Sequence, residues 1–234
     1  MQTGKLILLP NLLDENAPID PFLPPGVKTA IQLIKGLIAE SEKTARRYLR
    51  KFLSHDEMAA MPLRLLNEHT KELNELIEPL IKGETWGLIS DAGLPCLADP
   101  GTDLVALCHE KRIEVETYAG PSSIIFALQL SGLSGQKFAF HGYLPKDSPQ
   151  LEQAIHDLEK RAKTETQIFI EAPYRSAKML TLLLSILHPD TRLCVAASLT
   201  TPQQRVVSQS VTKWKQGEFV LGKEPVVFVL GRRG

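Results

Sequence analysis

The first half of the chain alternates short apolar runs with longer amphipathic stretches, a pattern typical of strands and helices that follow one another. Short apolar runs predict strands at residues 5–9, 37–39, 62–66 and 85–89, and an alternation of apolar and polar residues predicts one at 113–117. Helical spacing of apolar positions predicts helices at residues 27–34, 41–52, 70–82, 102–109 and 121–130. This alternation favours a mainly parallel sheet with right-handed crossovers.

The second half has a different order of apolar runs. Strands are predicted at residues 138–141, 167–170, 192–196, 204–209 and 225–230, with helices at 150–161 and 176–186. Only residues 210–224 connect the last two strands, which favours a partly antiparallel, mixed sheet. We therefore expect an α/β protein of two domains, residues 1–120 and 121–234, with the boundary within residues 120–135.

Composition limits the classes of function. The chain has 234 residues, 43% of them hydrophobic, which suits one large or two small domains with a real core. Its 27 basic and 27 acidic residues balance, so no global positive field attracts nucleic acid, although a local basic patch remains open. The three widely spaced cysteines predict no metal site or disulfide framework and favour a reducing cytoplasm. The chain shows no signal-peptide layout and no apolar stretch of ~18 residues, so no membrane partner is expected.

One loop carries the clearest chemical signal. The run Ser90-Asp91-Ala92-Gly93-Leu94-Pro95-Cys96-Leu97-Ala98-Asp99-Pro100-Gly101 follows a predicted strand and precedes a predicted helix. Ligands of open α/β sheets bind at the carboxyl ends of strands, and this loop offers free backbone N–H groups and two carboxylates. An ordinary turn, with Asp99 as a turn or helix-cap acid, explains the same composition. The glycine patterns of dinucleotide-binding folds and P-loops, and that of the hydrolase nucleophile elbow, are absent.

Three ordered motifs carry a family resemblance. They are Ser90-Asp91-Ala92-Gly93-Leu94-Pro95 with Asp99-Pro100-Gly101, then Gly120-Pro121-Ser122-Ser123, then Gly142-Tyr143-Leu144-Pro145. Together they resemble the tetrapyrrole methylase superfamily, the class III S-adenosylmethionine-dependent methyltransferases, most nearly its ribosomal RNA small-subunit methyltransferase I branch. The run Phe169-Ile170-Glu171-Ala172-Pro173-Tyr174-Arg175 matches a further strand and loop of that family, so the resemblance extends over nearly the whole chain.

The resemblance implies a fold and a cofactor. It implies two α/β domains, a homodimer, and S-adenosylmethionine bound in the cleft between the domains. The positions expected to bind the cofactor are Pro10, Asp91, Gly93, Leu94, Asp99, Ser122, Ser123, Ile124, Glu171, Ala172 and Leu199. Displacement at a sulfonium needs alignment and exclusion of water rather than a catalytic triad. A hydroxyl acceptor also loses a proton, and Glu40 is the candidate base, with helix capping ahead of Ser41 as the alternative.

The residues expected on the acceptor side allow more than one interpretation. One predicted helix carries five basic residues that are candidates for binding RNA phosphates, namely Lys43, Arg46, Arg47, Arg50 and Lys51. A solvated helix face paired with Glu40 and Glu42 explains the same charges. Tyr174 and Arg175 are candidates for contacting a nucleobase or adenine, or are a surface aromatic and cation.

Three segments depart from the branch pattern. Glu40-Ser41-Glu42-Lys43 stands in place of Glu-Asp-Thr-Arg, Pro10-Asn11-Leu12 in place of Pro-Ile-Gly-Asn, and Ser198-Leu199-Thr200-Thr201 in place of Glu-Leu-Thr-Lys. The ordered motifs and the basic helix support the first hypothesis, methylation of ribosomal RNA of the small subunit at a ribose 2′-hydroxyl. The neutral charge and the altered stretch Glu40-Ser41-Glu42-Lys43 favour the second, a small-molecule acceptor such as a tetrapyrrole. The same departures support the third, a cofactor-binding module without turnover.

Overall fold

The structure is a computed structural model that describes residues 4–70 and 72–231. Contacts within the chain divide it into two compact units, Met1–Ser122 (unit 1) and Ser123–Gly234 (unit 2). The predicted domains 1–120 and 121–234 stay a prediction, because contacts in a folded chain do not test whether either part folds alone.

Unit 1 has five strands and five helices in its described part. The strands are β1 (Lys5–Leu8), β2 (Gly36–Ala39), β3 (Leu63–Leu65), β4 (Thr85–Leu88) and β5 (Glu114–Thr117). The helices are α1 (Gly26–Leu33), α2 (Glu42–Leu49), α3 (His55–Ala60), α4 (Asn74–Ile81) and α5 (Thr102–Glu110). The strands pair in the order β3-β2-β4-β1-β5, and every pair is parallel, as predicted.

The three central strands of the unit 1 sheet, β1, β2 and β4, are largely buried on both faces. Ile7 and Leu37 pack with α1 and α2 in one core cluster, while Leu6 and Ile38 pack with α4 and α5 in another. Neighbouring residues of one strand point to opposite faces, so a strand covered on both sides must be mostly apolar. This explains why the central strands appear in the sequence as short apolar runs, whereas the edge strand β5 alternates apolar and polar residues.

Unit 2 holds a mixed sheet. Its strands are β6 (Phe138–Tyr143), β7 (Thr166–Glu171), β8 (Arg192–Ala197), β9 (Arg205–Ser210) and β10 (Val226–Gly231). Its helices are α6 (Ser123–Ser131), α7 (Ser148–Arg161), α8 (Ser176–Ile186) and α9 (Val211–Trp214). The strand order is β6-β7-β10-β8-β9, and only the β6–β7 pair is parallel.

The mixed sheet is confirmed, but the reason given for it is wrong. The short connection at residues 210–224 suggested that β9 and β10 pair, whereas β10 inserts between β7 and β8 and pairs antiparallel with both. β9 pairs only with β8. The central place of β10 fits its composition, because all six of its residues are buried and Phe228 stacks on Phe169 at 5.1 Å.

Two short helices were missed, and one helix begins later than predicted. α3 is capped by Ser54, whose hydroxyl accepts from Glu57 N while the Glu57 carboxylate accepts from Ser54 N. This capping box is visible in the sequence as Ser-His-Asp-Glu. α4 begins at Asn74 rather than residue 70; Lys71, inside the predicted helix, lies outside the described residues. No helix in the described ranges is long and apolar enough to span a bilayer.

Candidate functional site

The candidate site in unit 1 lies where its parallel strands end. β1 leads into Pro10 and Asn11, β2 into Glu40, and β4 into the loop that begins at Ser90. Asn11 joins two of these segments. Its backbone N–H donates to Gly93 O at 2.7 Å, and its side-chain amide donates to Ser90 O at 3.0 Å and Asp91 O at 3.1 Å. The buried Asn11 therefore fixes the position of the Asp91 loop.

Asn11 was missed as a site residue. In the sequence it stands out only as a departure from the family pattern. Its signal is weak, because Asn is also common in ordinary turns. Its role depends on a contact 79 residues away along the chain.

Glu40 and Asp91 are in direct contact. The backbone N–H of Asp91 donates to Glu40 Oε1 at 3.1 Å, and the Ser41 hydroxyl lies 3.4 Å from Asp91 Oδ1. The capping residue of α2 is Ser41, which accepts from Thr44 N, so Glu40 is not the helix cap. Glu40 instead faces the loop that follows β4.

Burial and neighbouring charge raise the pKa of two carboxyls in this region, Glu40 and Asp99. Burial raises the pKa of Glu40, and the Asp91 charge adds to that rise, while the hydrogen bond from Asp91 N opposes it. Burial and then the Glu40 charge raise the pKa of Asp99 to about 7, against a smaller opposing effect of its hydrogen bond with Ser90. Glu40, Asp91 and Asp99 thus form an electronegative group in which Asp99 is protonated for part of the neutral range.

Glycines let three segments of this region approach closely. Gly93 has φ +74°, a left-handed conformation that an L side chain rarely adopts. A Cβ on Gly120 would lie 2.1 Å from Pro10 Cβ and 3.2 Å from Leu94 Cδ2, so these residues lie against one another. Of the residues predicted to bind the cofactor, the structure therefore brings Pro10, Gly93 and Leu94 together, beside the acids.

Unit 2 holds the remaining predicted cofactor residues. Ser123 and Ile124 begin α6, after the buried Ser122 that ends unit 1. Glu171 ends β7 and is 4% exposed, and its Oε1 accepts from Ala172 N at 2.8 Å. Its Oε2 forms an ion pair with Arg175 Nη2 at 3.2 Å but accepts no hydrogen bond. This buried oxygen can therefore still accept a hydrogen bond from a donor.

The segment after β8 was recognised only in part. Leu199 is buried by the surrounding protein. The flanking Ser198 and Thr200 have φ +52° and +69°, and the buried Thr200 hydroxyl has no partner among the described residues. A left-handed β-branched residue is strained, and such strain concentrates at functional sites. Nothing in the sequence reveals this conformation.

The basic helix is less free than its sequence suggests. Arg46 donates to Met58 O at 2.6 Å and lies 3.4 Å from Glu42. Arg47 forms an ion pair with Glu15, and Lys51 donates to Glu15 O at 2.8 Å. These cations hold α3 and the loop after β1 in place. In the described part of the chain, Lys43 and Arg50 are exposed and make no ion pair, so they keep the potential to contact phosphates.

The other predicted substrate residues lie in unit 2. Tyr174 is 68% exposed, whereas Arg175 lies against the buried Glu171. Within residues 4–70 and 72–231, no three His, Cys, Asp or Glu side chains are arranged to hold a metal ion.

Comparison with known proteins identifies the family. The model of the tetrapyrrole (corrin/porphyrin) methylases matches residues 28–214. The ribosomal RNA small subunit methyltransferase I of Vibrio cholerae is 30% identical over 187 residues, which cover 75% of this chain and 64% of the relative. The protein of the same name from Halalkalibacterium halodurans is 38% identical over 185 residues, covering 75% of this chain and 63% of the relative. The chain thus spans under two thirds of the length of these curated relatives.

Solved structures share the fold. The methyltransferase CobJ matches with a TM-score of 0.63 and 14% identity over 99% of this chain and 95% of that chain. Diphthine synthase matches with a TM-score of 0.66 and 12% identity over 98% of this chain and 90% of that chain. The family model extends from α1 to α9 and the fold recurs along nearly the whole length, so the resemblance in the motifs is confirmed and the chain belongs to the tetrapyrrole (corrin/porphyrin) methylase family.

Proposed function

We propose that this protein is an S-adenosylmethionine-dependent methyltransferase that methylates ribosomal RNA of the small subunit. The names of the similar proteins from Vibrio cholerae and Halalkalibacterium halodurans support the reaction and the substrate. The observation that carries the proposal is the group of Glu40, Asp91 and Asp99 beside the glycine-containing loop. S-adenosylmethionine is positively charged at its sulfonium and its α-ammonium, so an electronegative group suits it.

The residues present fit this cofactor in both units. In unit 1, Asn11 fixes the Asp91 loop by hydrogen bonds to its backbone carbonyls, and Asp91 remains exposed. In unit 2, the buried Thr200 hydroxyl has no hydrogen-bond partner among the described residues. The buried Oε2 of Glu171 is ion-paired with Arg175 but accepts no hydrogen bond, so a polar ligand would satisfy both groups. We propose that Pro10, Asp91, Gly93, Leu94 and Asp99 bind the cofactor. Ser122, Ser123, Ile124, Glu171, Ala172 and Leu199 complete the proposed set.

The chemistry asks little of the side chains. S-adenosylmethionine, when bound, supplies an electrophilic methyl group with a neutral leaving group. The protein then has to fix the acceptor in line and exclude water. For a ribose 2′-hydroxyl we propose Glu40 as the base, since its half-buried carboxylate binds the proton more tightly than an exposed Glu does.

The acceptor separates the leading candidate from the alternative. A tetrapyrrole or other small molecule is favoured by the neutral overall charge and by the altered stretch Glu40-Ser41-Glu42-Lys43. Ribosomal RNA is favoured by the names of the relatives and by the exposed cations Lys43 and Arg50. A homodimer and a cytoplasmic location follow from the family resemblance and the ribosomal substrate, and both belong to the proposal.

One experiment tests the proposal directly. The purified protein is incubated with methyl-labelled S-adenosylmethionine and small ribosomal subunits from a strain that lacks it. We expect label in the ribosomal RNA, located at a ribose 2′-oxygen by alkaline hydrolysis, which spares 2′-O-methylated linkages. Label in a porphyrinoid fraction instead selects the small-molecule alternative. If calorimetry detects no binding of S-adenosylmethionine or S-adenosylhomocysteine, the proposed enzyme activity is wrong.

A further inference from the structure

Two tyrosine side chains lie largely in solvent at one edge of the unit 2 sheet. Tyr143 ends β6 and is 61% exposed, and Tyr174 follows β7 and is 68% exposed. β6 and β7 are parallel neighbours, so their carboxyl ends lie at the same edge. Aromatic side chains in folded proteins usually bury most of their surface. Two aromatic side chains that stay exposed at the same edge suggest a ligand with flat faces that stack on them.

A bulge in β6 sets the direction of Tyr143. Phe140 pairs with Ile168 and Tyr143 pairs with Ile170, so β6 has one residue more than β7 over this stretch. Gly142, inside the bulge, has φ +64°, and a Cβ there would meet nothing within 4 Å. Glycine is therefore needed for the conformation and not for space. Bulges redirect side chains and are frequent beside active sites.

A tight turn exposes Tyr174. The backbone N–H of Arg175 donates to Ala172 O at 2.8 Å, which closes a four-residue turn. Pro173 occupies the second position, where its fixed φ suits the turn, and Tyr174 occupies the third. The turn rests on the buried Glu171 and leads into α8. The exposure of Tyr174 is thus imposed by the backbone rather than by a lack of nearby core.

Cations accompany both tyrosines. Lys146 lies three residues after β6, and Lys178 lies in the first turn of α8. Both are exposed, and neither ammonium has a hydrogen-bond or ion-pair partner in the part of the chain that the structure describes. The acids of the same two stretches are Asp147, next to Lys146, and Glu171, which is already beside Arg175. Flat aromatic faces interspersed with free cations are the features of surfaces that bind single-stranded nucleic acid.

We propose that Tyr143, Lys146, Tyr174 and Lys178, the tyrosine strip, bind unpaired nucleotides that flank the acceptor nucleotide. Nucleobases stack on the two tyrosines, and the lysines contact backbone phosphates. This inference rests on the proposed function and narrows its substrate to single-stranded RNA segments. It adds Tyr143, Lys146 and Lys178 to the residues proposed to contact the RNA. It also assigns Tyr174 a contact with a nucleobase of the RNA rather than with the adenine of the cofactor.

The test measures RNA affinity and methyl transfer in parallel. The probe is a fluorescein-labelled single-stranded RNA of about 12 nucleotides, compared with a blunt duplex of the same sequence. We expect the single strand to bind more tightly. Y143A and Y174A should each weaken its binding about 5- to 150-fold, the fold-change that corresponds to the loss of one base–aromatic stack. Y143W and Y174W should retain most of the affinity, because indole also stacks.

Controls separate stacking from a folding defect. F138L removes a 40% exposed aromatic ring from the other end of β6 and should leave RNA affinity unchanged. In the double variant K146A/K178A, log affinity should fall less steeply with log salt concentration. The magnitude of that slope should decrease by roughly 0.7 for each lost phosphate contact. Cofactor binding by calorimetry should be equal in all variants, as expected of residues that contact only the RNA.

Each outcome decides one of the two proposals. The tyrosine strip is overturned if Y143A and Y174A bind single-stranded RNA as tightly as the unaltered protein does. It is also overturned if the unaltered protein binds the duplex as tightly as the single strand. Methyl transfer to RNA with unchanged KM in both tyrosine variants also overturns it, while the proposed function stands. Tyrosine-dependent RNA binding in a protein that transfers no methyl group supports the strip and contradicts the proposed function.

Discussion

The two sheets of the molecule have five strands each, yet they place polar groups in different ways. In unit 1 all strands are parallel, so every carboxyl end lies at one edge, and the segments after β1, β2 and β4 touch. In unit 2 the antiparallel β10 separates β7 from β8. Glu171 and Ala197 both pair with Val226, so they lie two strand spacings apart, about 9.5 Å.

This difference has a chemical consequence. The parallel order concentrates Glu40, Asp91 and Asp99, so that burial and neighbouring charge raise the pKa of Glu40 and of Asp99. The mixed order spaces its polar groups, and among the described residues Glu171 and Thr200 each keep a buried oxygen that makes no hydrogen bond. Unit 1 is therefore suited to bind a positively charged group of a ligand. Unit 2 offers separate hydrogen-bonding groups and exposed aromatic rings.

The largest expected effect concerns the core of unit 2. Phe228 is fully buried on the central strand and stacks on Phe169. We expect F228A to lower the free energy of unfolding by about 3–5 kcal/mol, because truncating a buried phenylalanine leaves a cavity. Unit 1 contains Trp86 and unit 2 contains Trp214, so single-tryptophan variants report each unit during urea unfolding. An unmoved Trp214 transition would contradict the assignment of this core.

The next effect concerns the acids of unit 1. We expect D91A to weaken binding of S-adenosylmethionine by about 1–3 kcal/mol, the cost of losing a charged hydrogen-bond partner. D103A is the matched control, since Asp103 is an exposed acid in the first turn of α5 and carries the same charge. Calorimetry on both variants provides the measurement. Equal affinity in D91A and D103A removes Asp91 from the site.

A smaller effect is the pH dependence that Asp99 imposes. Its pKa is about 7 in the folded protein and near 3.8 in an unfolded chain, so the folded state binds this proton more tightly. Stability from this group is fully present below about pH 4 and is lost as the pH rises through about 7. D99N should remove this loss, which amounts to about 1 kcal/mol once water screening of the half-exposed group is included.

Thermal unfolding measures this difference. The gap in melting temperature between D99N and the unaltered protein should widen between about pH 5 and about pH 8, with D99N the more stable at the higher pH. The two proteins differ only at residue 99, so the comparison isolates Asp99. A gap that stays constant with pH refutes the raised pKa. Cofactor affinity should rise over the same interval, because a bound cation favours the ionised carboxylate.

The smallest expected effect separates the cations of α2. R47A should lower stability by up to about 1 kcal/mol, since Arg47 pairs with Glu15, and should leave RNA affinity unchanged. K43A should leave stability unchanged and reduce the salt dependence of RNA binding by roughly 0.7 in slope. Urea unfolding and RNA titration at several salt concentrations test both variants. A larger loss of RNA binding in R47A than in K43A would reverse the two roles.

Much of the fold could be predicted because its signals are local. The central strands of unit 1, β1, β2 and β4, are largely buried on both faces, so their apolar runs identify them in the sequence. α8 was predicted with its observed bounds, Ser176–Ile186, since apolar spacing continues through it. The place of β10 could not be predicted in this way, because pairing with β7 and β8 is a choice among distant partners that no local pattern encodes.

In the candidate site, too, the local features could be predicted and the contacts between distant segments could not. The run from Ser90 to Gly101 is recognisable by its Gly, Pro and Asp residues, so the acids within it could be predicted as site residues. The neighbours of those acids could not, since Glu40 meets Asp91 across 51 residues and Asn11 meets Ser90 across 79. The freedom of Arg46 and Arg47 was overestimated because their partners, Met58 O and Glu15, lie in other segments.

The late position of β10 in the chain affects how the protein is made. Unit 1 has all five of its strands once residue 117 has been synthesised, so its sheet can close while translation continues. The unit 2 sheet must wait for residues 226–231, and until they emerge β7 and β8 each expose an unpaired apolar edge. We therefore expect chaperones to bind a nascent chain that pauses before this strand is synthesised.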